Sequence, residues 1–368
     1  MNAAMRIGPA ARGQVVLVLQ GGGALGAYQA GVYEALCGAG AEPDWVIGTS
    51  IGAINAAIIA GNAAADRLPR LREFWRGVQQ DSAYARFMTF ARGIPGFFAP
   101  RPMAWGGVQA RVGLDQASYY STEPLRETLA ALVDLEKLND QKPRLTVGAV
   151  SVRTSRMRYF DSRDERLGLE HVMASGALPP AFPAIRIEGE PYWDGGVYSN
   201  TPIEAVLDDK PRRDSVIFAV NVWQPTGAEP GSIWEVMGRQ KDIQYASRAD
   251  SHIARQKQIH RLRHVIRELS RHLPPEKRDS EECRELASWG CGTTMHVVRL
   301  LAPTLDSEDY FKDIDFSPGG IRARWQAGLT DTRRMIERAP WELEVDPMEG
   351  VVVHELSART GQRIVENA

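Results

Sequence analysis

Between residues 15 and 61 the chain twice runs from a short apolar stretch, through a glycine-bearing turn, into an apolar helical segment. Val15-Val16-Leu17-Val18-Leu19 is continuous and β-branched, the pattern of a strand buried on both faces. Gln20 and the run Gly21-Gly22-Gly23-Ala24-Leu25-Gly26 follow, and Ala27 to Leu36 then reads as a helix stopped near Gly38 and Gly40. The second unit opens at Trp45-Val46-Ile47 and breaks at Gly48-Thr49-Ser50-Ile51-Gly52. It continues as an Ala/Ile-rich helix ending near Gly61. Strand, turn and helix repeated in this order demand a parallel α/β sheet with helices packed on its faces.

Downstream, residues 66–80 predict an amphipathic helix with Leu68, Leu71, Phe74, Trp75 and Val78 on one side. Phe87, Phe90, Phe97, Phe98 and Trp105 stand among Gly and Pro between Tyr84 and Trp105, aromatic but without clean periodicity, which reads as a loop-rich insertion. Further strands are expected at Leu145–Val152, Met157–Asp161, around Ile185–Ile187, and at Ser215–Val222 and Thr294–Leu301, with a helix from Leu169 to Leu178 closed by Pro179-Pro180. The chain turns strongly charged over a helical stretch at 233–273, followed by a polar linker from Pro274 to Glu282. A last helix is predicted with Ser317 as N-cap and Pro318 at its first position, running to about Arg338.

Composition bounds the function classes. The 44 Lys and Arg balance 46 Asp and Glu, giving a net charge of -2 and no global reason to bind nucleic acid. Cys37, Cys283 and Cys291 form no CxxC pair and no zinc-type spacing, so neither a disulfide framework nor a metal site is expected. Val15–Leu19 is too short for a secretory h-region and Val46–Ala60 too short to span a bilayer. The expectation is a cytoplasmic protein, open to peripheral contact with a membrane or lipid inclusion, and compatible with homo-oligomers.

Three motifs carry chemistry. A serine at Gly48-Thr49-Ser50-Ile51-Gly52, where a strand breaks into a helix, sits on a sharp turn with its hydroxyl exposed above the sheet. The same five residues alone would also suit a purely structural turn. Gly21 to Gly26 satisfies GxGxxG, with Asp44 near the spacing of a ribose-binding acid, so a dinucleotide site has to be weighed. Asp44 stands at the start of the second strand, however, whereas a ribose-binding acid belongs at its end. The competing reading is an oxyanion hole made of glycine amides beside the serine. An activated serine needs a base, and none of the seven histidines stands in a recognisable catalytic loop. Asp194, at the end of a short strand and followed by Gly195-Gly196, can approach another loop closely and accept a proton directly. By itself Asp-Gly-Gly is a common turn.

Taken together, the GGGxxG run, the GxSxG serine and the distant DGG aspartate, in this order, resemble the patatin-like phospholipase family. Ala174-Ser175-Gly176-Ala177-Leu178-Pro179 and Asn200-Thr201-Pro202 add to the likeness, which covers about residues 14–208. The resemblance implies a three-layer α/β/α sandwich about a mixed, mainly parallel sheet. It also implies hydrolysis of lipid acyl esters through an acyl-serine, with no metal or other cofactor. In that scheme Ser50 is the nucleophile and Asp194 the base. The oxyanion hole comes from Gly21, Gly22, Gly23 and Ala24, and Gly26, Gly48, Gly52, Gly195 and Gly196 complete the motifs. Residues 209–368 are expected to form a mostly helical C-terminal extension that partly completes the sheet. Acyl transfer to an acceptor other than water would use the same residues, and a catalytically silent lipid-binding protein would share the fold. The extension's helix offers one more expectation. Ile259, Leu262, Ile266, Leu269 and Leu273 form an apolar stripe, flanked by Arg248, Arg255, Lys257, Arg261, Arg263, Arg267 and Arg271, that would suit an anionic bilayer or packing on the catalytic domain or a second subunit.

Overall fold

A computed structural model describes residues 13–80, 89–101, 109, 111–305 and 308–355. Helices of seven residues or more are numbered here; shorter ones are given by residue. The chain begins with β1 (Gln14–Leu19), α1 (Ala27–Gly38), β2 (Trp45–Gly48), α2 (Ile51–Ala60) and α3 (Ala64–Gly77). A small antiparallel ribbon, β3 (Ala99–Pro100) with β4 (Tyr120–Ser121), precedes α4 (Glu123–Leu132). Next come β5 (Arg144–Ser151), β6 (Met157–Asp161), α5 (Leu169–Ser175), β7 (Ile185–Ile187), β8 (Glu190–Asp194) and β9 (Ser215–Asn221). The remainder holds α6 (Ile233–His272), α7 (Glu281–Ser288), β10 (Met295–Leu301), α8 (Pro318–Arg338) and β11 (Val351–Glu355).

Nine strands form one sheet in the order β11-β10-β9-β1-β2-β5-β8-β7, with β6 also paired to β5. The six strands from β11 to β5 are mutually parallel. Strands β6 and β8 run antiparallel to β5, and β7 antiparallel to β8. The period of two along β1 separates the two cores. Val15, Leu17 and Leu19 face a cluster built with α1, α2, α3 and α8, while Val16 and Val18 face a smaller one containing Ile203, Val206, Leu207 and Ile253. Both faces are thus covered by helices, which is the three-layer sandwich that the family resemblance implies.

Residues beyond 208 are woven into this sheet. β9 lies directly beside β1, and β10 and β11 extend the same edge. The helix α8 lies across α1, where Trp325 Nε1 donates to Glu34 (2.6 Å) and the Tyr28 hydroxyl donates to Asp331 (3.1 Å). Ser317 caps α8 by accepting the Gly320 amide (3.1 Å), and Pro318 is its first residue. The helix predicted at 66–80 runs instead over Ala64–Gly77, and β11 had no counterpart in the sequence reading.

The 40-residue α6 differs from expectation in the face it buries. Ile253, Gln256, His260 and His264 pack inward, and the two histidines are held by backbone carbonyls of Leu207, Pro347 and Thr293. Leu262 and Leu269, assigned to an apolar stripe from their spacing, are exposed. Backbone acceptors at the helix flank make buried imidazoles cheap, so the apolar period did not decide the orientation. Among the described residues no helix is long and apolar enough to cross a membrane, and no group of three or more His, Cys, Asp or Glu side chains is placed to hold a metal ion.

Candidate active site

Strand β2 ends at Gly48, and the chain turns sharply through Thr49 and Ser50 into α2. Ser50 takes φ 56° and ψ −125°, a conformation that costs a non-glycine residue about 1–3 kcal/mol and persists only where neighbours hold it. The holding group is Ser175 at the end of α5. The Ser50 amide donates to both the carbonyl and the hydroxyl oxygen of Ser175 (3.1 Å each), and the Ser175 hydroxyl donates to the Gly148 carbonyl on β5 (2.6 Å). The turn places Ser50 half-buried at the N-terminus of α2, whose dipole favours negative charge there.

Strand β5 brings Asp194 to the same place. Thr146 and Val147 pair with Ile47 and Gly48 of β2 on one edge of β5 and with β6 on the other. Further along, Ala149 and Val150 pair with β6 and with Asp194 and Trp193 of β8. Strands β2 and β8 therefore share one edge of β5, β8 beginning where β2 leaves off. Asp194 stands opposite Ala149, two residues past the partner of Gly48, and Ser50 is two residues past Gly48. The Asp194 amide donates to Ala177 (3.0 Å), so the Ala174–Pro179 segment touches both the serine turn and the aspartate strand.

The Asp194 side chain is buried. Burial pushes its carboxyl up to about 7, although hydrogen bonds from the Ser50 hydroxyl and from the Gly196 amide (2.7 Å) act in the other direction. A carboxylate next to a hydroxyl and titrating near neutrality can take and return a proton at ordinary pH.

The glycine run forms the third side. Gly21 and Asn200 are bonded reciprocally: the Gly21 amide donates to the Asn200 carbonyl (3.2 Å), and Asn200 Nδ2 donates to the Gly21 carbonyl (3.0 Å). A Cβ on Gly21 would lie 2.3 Å from Asn200 Oδ1 and 3.0 Å from Ser50 Cβ, so only glycine lets the loop pass this close to the serine. The Gly21 amide is thereby committed elsewhere, which removes it from the four donors expected of the oxyanion hole. Among the described residues the amides of Gly22, Gly23 and Ala24 meet no protein acceptor. Gly23 takes φ +55°, and a Cβ there would lie 2.2 Å from the Asp313 carbonyl oxygen, far along the chain in the C-terminal part.

Gln20, which the sequence reading passed over, anchors this loop. Its side-chain amide donates to Thr201 Oγ1 (2.7 Å) and to the Tyr245 carbonyl (3.1 Å), while its Oε1 accepts the amides of Val222 (2.6 Å) and Trp223 (3.2 Å). The only signal in the sequence was a glutamine placed between an apolar strand and a glycine run; in the structure it is fully buried and must be satisfied from the surrounding chain. Asp44 lies at the opposite end of β2 and accepts the Val15 amide (2.8 Å), a structural role that leaves the dinucleotide reading without its acid.

Ser50, Asp194 and the glycine loop open into a cavity of about 180 Å³ with mainly apolar walls, which among the described residues include no histidine. Ile51, Ile54, Leu178 and Phe182 line it, as do Phe90, Phe97 and Phe98 of the aromatic insertion; Tyr84, Phe87 and Trp105 lie outside the described residues. Phe98 packs edge-on against Tyr120 (4.8 Å between ring centres) and near Phe182 (5.3 Å). Trp223, Tyr245, Asp313, Ile314 and Phe316 supply the remaining wall from beyond residue 208. Their positions are held by paired ions, Lys241 with Asp313 (2.8 Å) and Lys312 with Asp242 (2.8 Å).

The family model described as patatin-like phospholipase matches residues 17–207. A second, described as patatin phospholipase, matches residues 243–348, the part that carries Tyr245, Asp313, Ile314 and Phe316. No curated protein matches the chain. Among solved structures, the crystal structure of VipD from Legionella pneumophila is similar at a TM-score of 0.40 and 16% identity, covering 88% of this chain and 67% of that one. With the first model spanning more than half of its length, the chain belongs to the patatin-like phospholipase family, whose membership implies lipid acyl hydrolase activity.

Proposed function

We propose that this protein is a serine lipid acyl hydrolase of phospholipase A or esterase type, working through a Ser50–Asp194 dyad and an acyl-enzyme. The observation that carries this reading is the convergence of a strained Ser50, a buried Asp194 carboxyl and three glycine-loop amides that meet no protein acceptor among the described residues, at one end of an apolar cavity. Asp194 takes the Ser50 proton as Ser50 Oγ adds to the ester carbonyl carbon. The oxygen that becomes negative is met by the amides of Gly22, Gly23 and Ala24, a donor of this kind contributing about 3 kcal/mol. Collapse of the adduct expels the alcohol, which takes its proton from Asp194. Water, deprotonated by Asp194 in its turn, then attacks the acyl-serine, and the adduct collapses to release the acid while the departing Ser50 oxygen takes that proton back from Asp194. A fluorophosphonate probe is expected to add its mass to the peptide bearing Ser50, and unlabelled wild-type protein would count against the dyad.

Two further outcomes follow from this chemistry. Because the base must be ionised, kcat/KM is expected to fall about tenfold per pH unit on the acid side of a midpoint near 7. A flat profile between pH 5 and 8 on p-nitrophenyl butyrate would exclude Asp194 as the titrating base. In the cavity, each buried methylene of an acyl chain contributes about 0.8 kcal/mol, about fourfold in kcat/KM. Phe97→Ser with Phe98→Ser is therefore expected to raise KM for long-chain esters well above its effect on butyrate. A uniform loss across chain lengths with a lowered Tm would show these rings to be core filling only.

A further inference from the structure

At its mouth the cavity runs into a group of large apolar side chains that are exposed or only half-buried among the described residues. Phe90 lines the cavity and is also half-exposed. Its ring meets Phe311 (5.9 Å between centres), and Phe311 meets Tyr310 (5.0 Å) and Trp234 (5.3 Å). Trp234 stands in the first turn of α6, exposed at 56%, with Ile233 at 79% and Val236 at 52% beside it. Exposed apolar side chains gathered in this way at the entrance of a site mark a contact surface.

The charges around the rim narrow the choice of partner. Lys241 pairs with Asp313 and Lys312 with Asp242, while Arg239 donates to the carbonyls of Gln224 (3.0 Å) and Pro225 (2.8 Å). The Glu235 carboxylate accepts the Gly231 amide (2.6 Å). Cations so engaged do not form the basic cluster that selects an anionic bilayer. The arginine-rich part of α6 is remote: at 1.5 Å per residue, Arg267 lies about 50 Å along the helix from Trp234. Aromatic rings with aliphatic neighbours suit the boundary between headgroups and hydrocarbon. An acyl chain leaving that boundary for the cavity passes Phe90.

We propose that the rim formed by Phe90, Phe311, Tyr310, Trp234, Ile233 and Val236 seats the protein on a neutral, zwitterionic lipid–water interface, an inference that rests on the acyl-hydrolase reading. The test compares wild type with the Ile233→Ser/Trp234→Ser variant, neither residue lining the cavity. The variant is expected to lose co-sedimentation with phosphatidylcholine vesicles, and hydrolysis of vesicle lipid, by about tenfold or more, while hydrolysing dissolved p-nitrophenyl butyrate as wild type does. Leu286→Ser/Trp289→Ser, altering exposed residues near the other end of α6, is expected to leave binding unchanged. The proposal is overturned if wild type does not bind phosphatidylcholine, if the rim variant binds normally, or if only the Leu286/Trp289 variant loses binding. A Ser50→Ala protein separates the two readings. Rim-dependent binding without esterase activity in any form would leave the docking surface standing and sink the hydrolase.

Discussion

Ser50→Ala and Asp194→Asn are each expected to lower hydrolysis of p-nitrophenyl acyl esters by about 10⁴-fold or more, with the double variant scarcely worse than either single one. Non-additivity is the sharper part of this expectation. Without Ser50 there is no nucleophile for Asp194 to activate, and without an ionisable Asp194 the hydroxyl keeps its proton. Ser50 is held by its own turn and by Ser175, not by the aspartate alone, so both variants should fold. Steady-state kinetics on the three proteins decide the matter. Near-normal turnover by Asp194→Asn would move the base to another residue. Multiplying losses in the double variant would mean the two groups act separately.

Asp194→Asn is also expected to make the protein more stable at neutral pH, by an amount that depends on pH in a definite direction. The carboxyl titrates near 7 in the folded protein against 3.8 for an ordinary aspartate. Folding therefore favours its neutral form. Its contribution to stability is fully present below about pH 3.8 and is lost as pH rises towards 7, beyond which the loss is constant. A displacement of this size corresponds to about 4 kcal/mol. Asparagine never ionises, so the variant escapes that loss while keeping an oxygen for the Gly196 amide. Urea unfolding at a series of pH values should show the two proteins nearly alike at pH 4 and diverging up to pH 7. Equal stability at pH 8 would show that Asp194 is not held in an environment hostile to its charge. The direction is that of a stability–activity trade-off, in which the site keeps a group the fold disfavours.

The family's motifs were legible because they are local. A continuous apolar run into glycines, twice over, leaves few arrangements other than parallel strands under helices. Ser50 could be picked out because a serine between Gly48 and Gly52 at a strand-to-helix break needs only its immediate neighbours. The cap at Ser317 was readable for the same reason, since one side chain satisfies an amide three residues on. Other features depended on partners remote in sequence. Gln20 looks like the end of a strand until Thr201, Val222, Trp223 and Tyr245 are brought around it. The commitment of the Gly21 amide to Asn200 likewise requires the loop after Asp194 to be in place.

What the sequence determined by itself is the chemistry on offer: a serine on a strained turn, glycines with amides to spare, an aspartate with room to approach, and the helices and strands that carry them. Tertiary structure alone decided how these meet. Strand β5 sets β2 and β8 end to end along one edge, and that register puts Asp194 beside Ser50 across 143 intervening residues. The same level of organisation buried His260 and His264 where the apolar period pointed to Leu262 and Leu269, because the backbone carbonyl of Leu207 meets one ring nitrogen of His260 and those of Pro347 and Thr293 meet both of His264. It also carried Tyr245, Asp313, Ile314 and Phe316 to the cavity wall. The physical reason is common to all of them. Propensity and periodicity act over one or two helical turns. Burial raises the Asp194 carboxyl, and distant acceptors make a buried histidine affordable; both exist only once segments far apart in the chain have excluded water together.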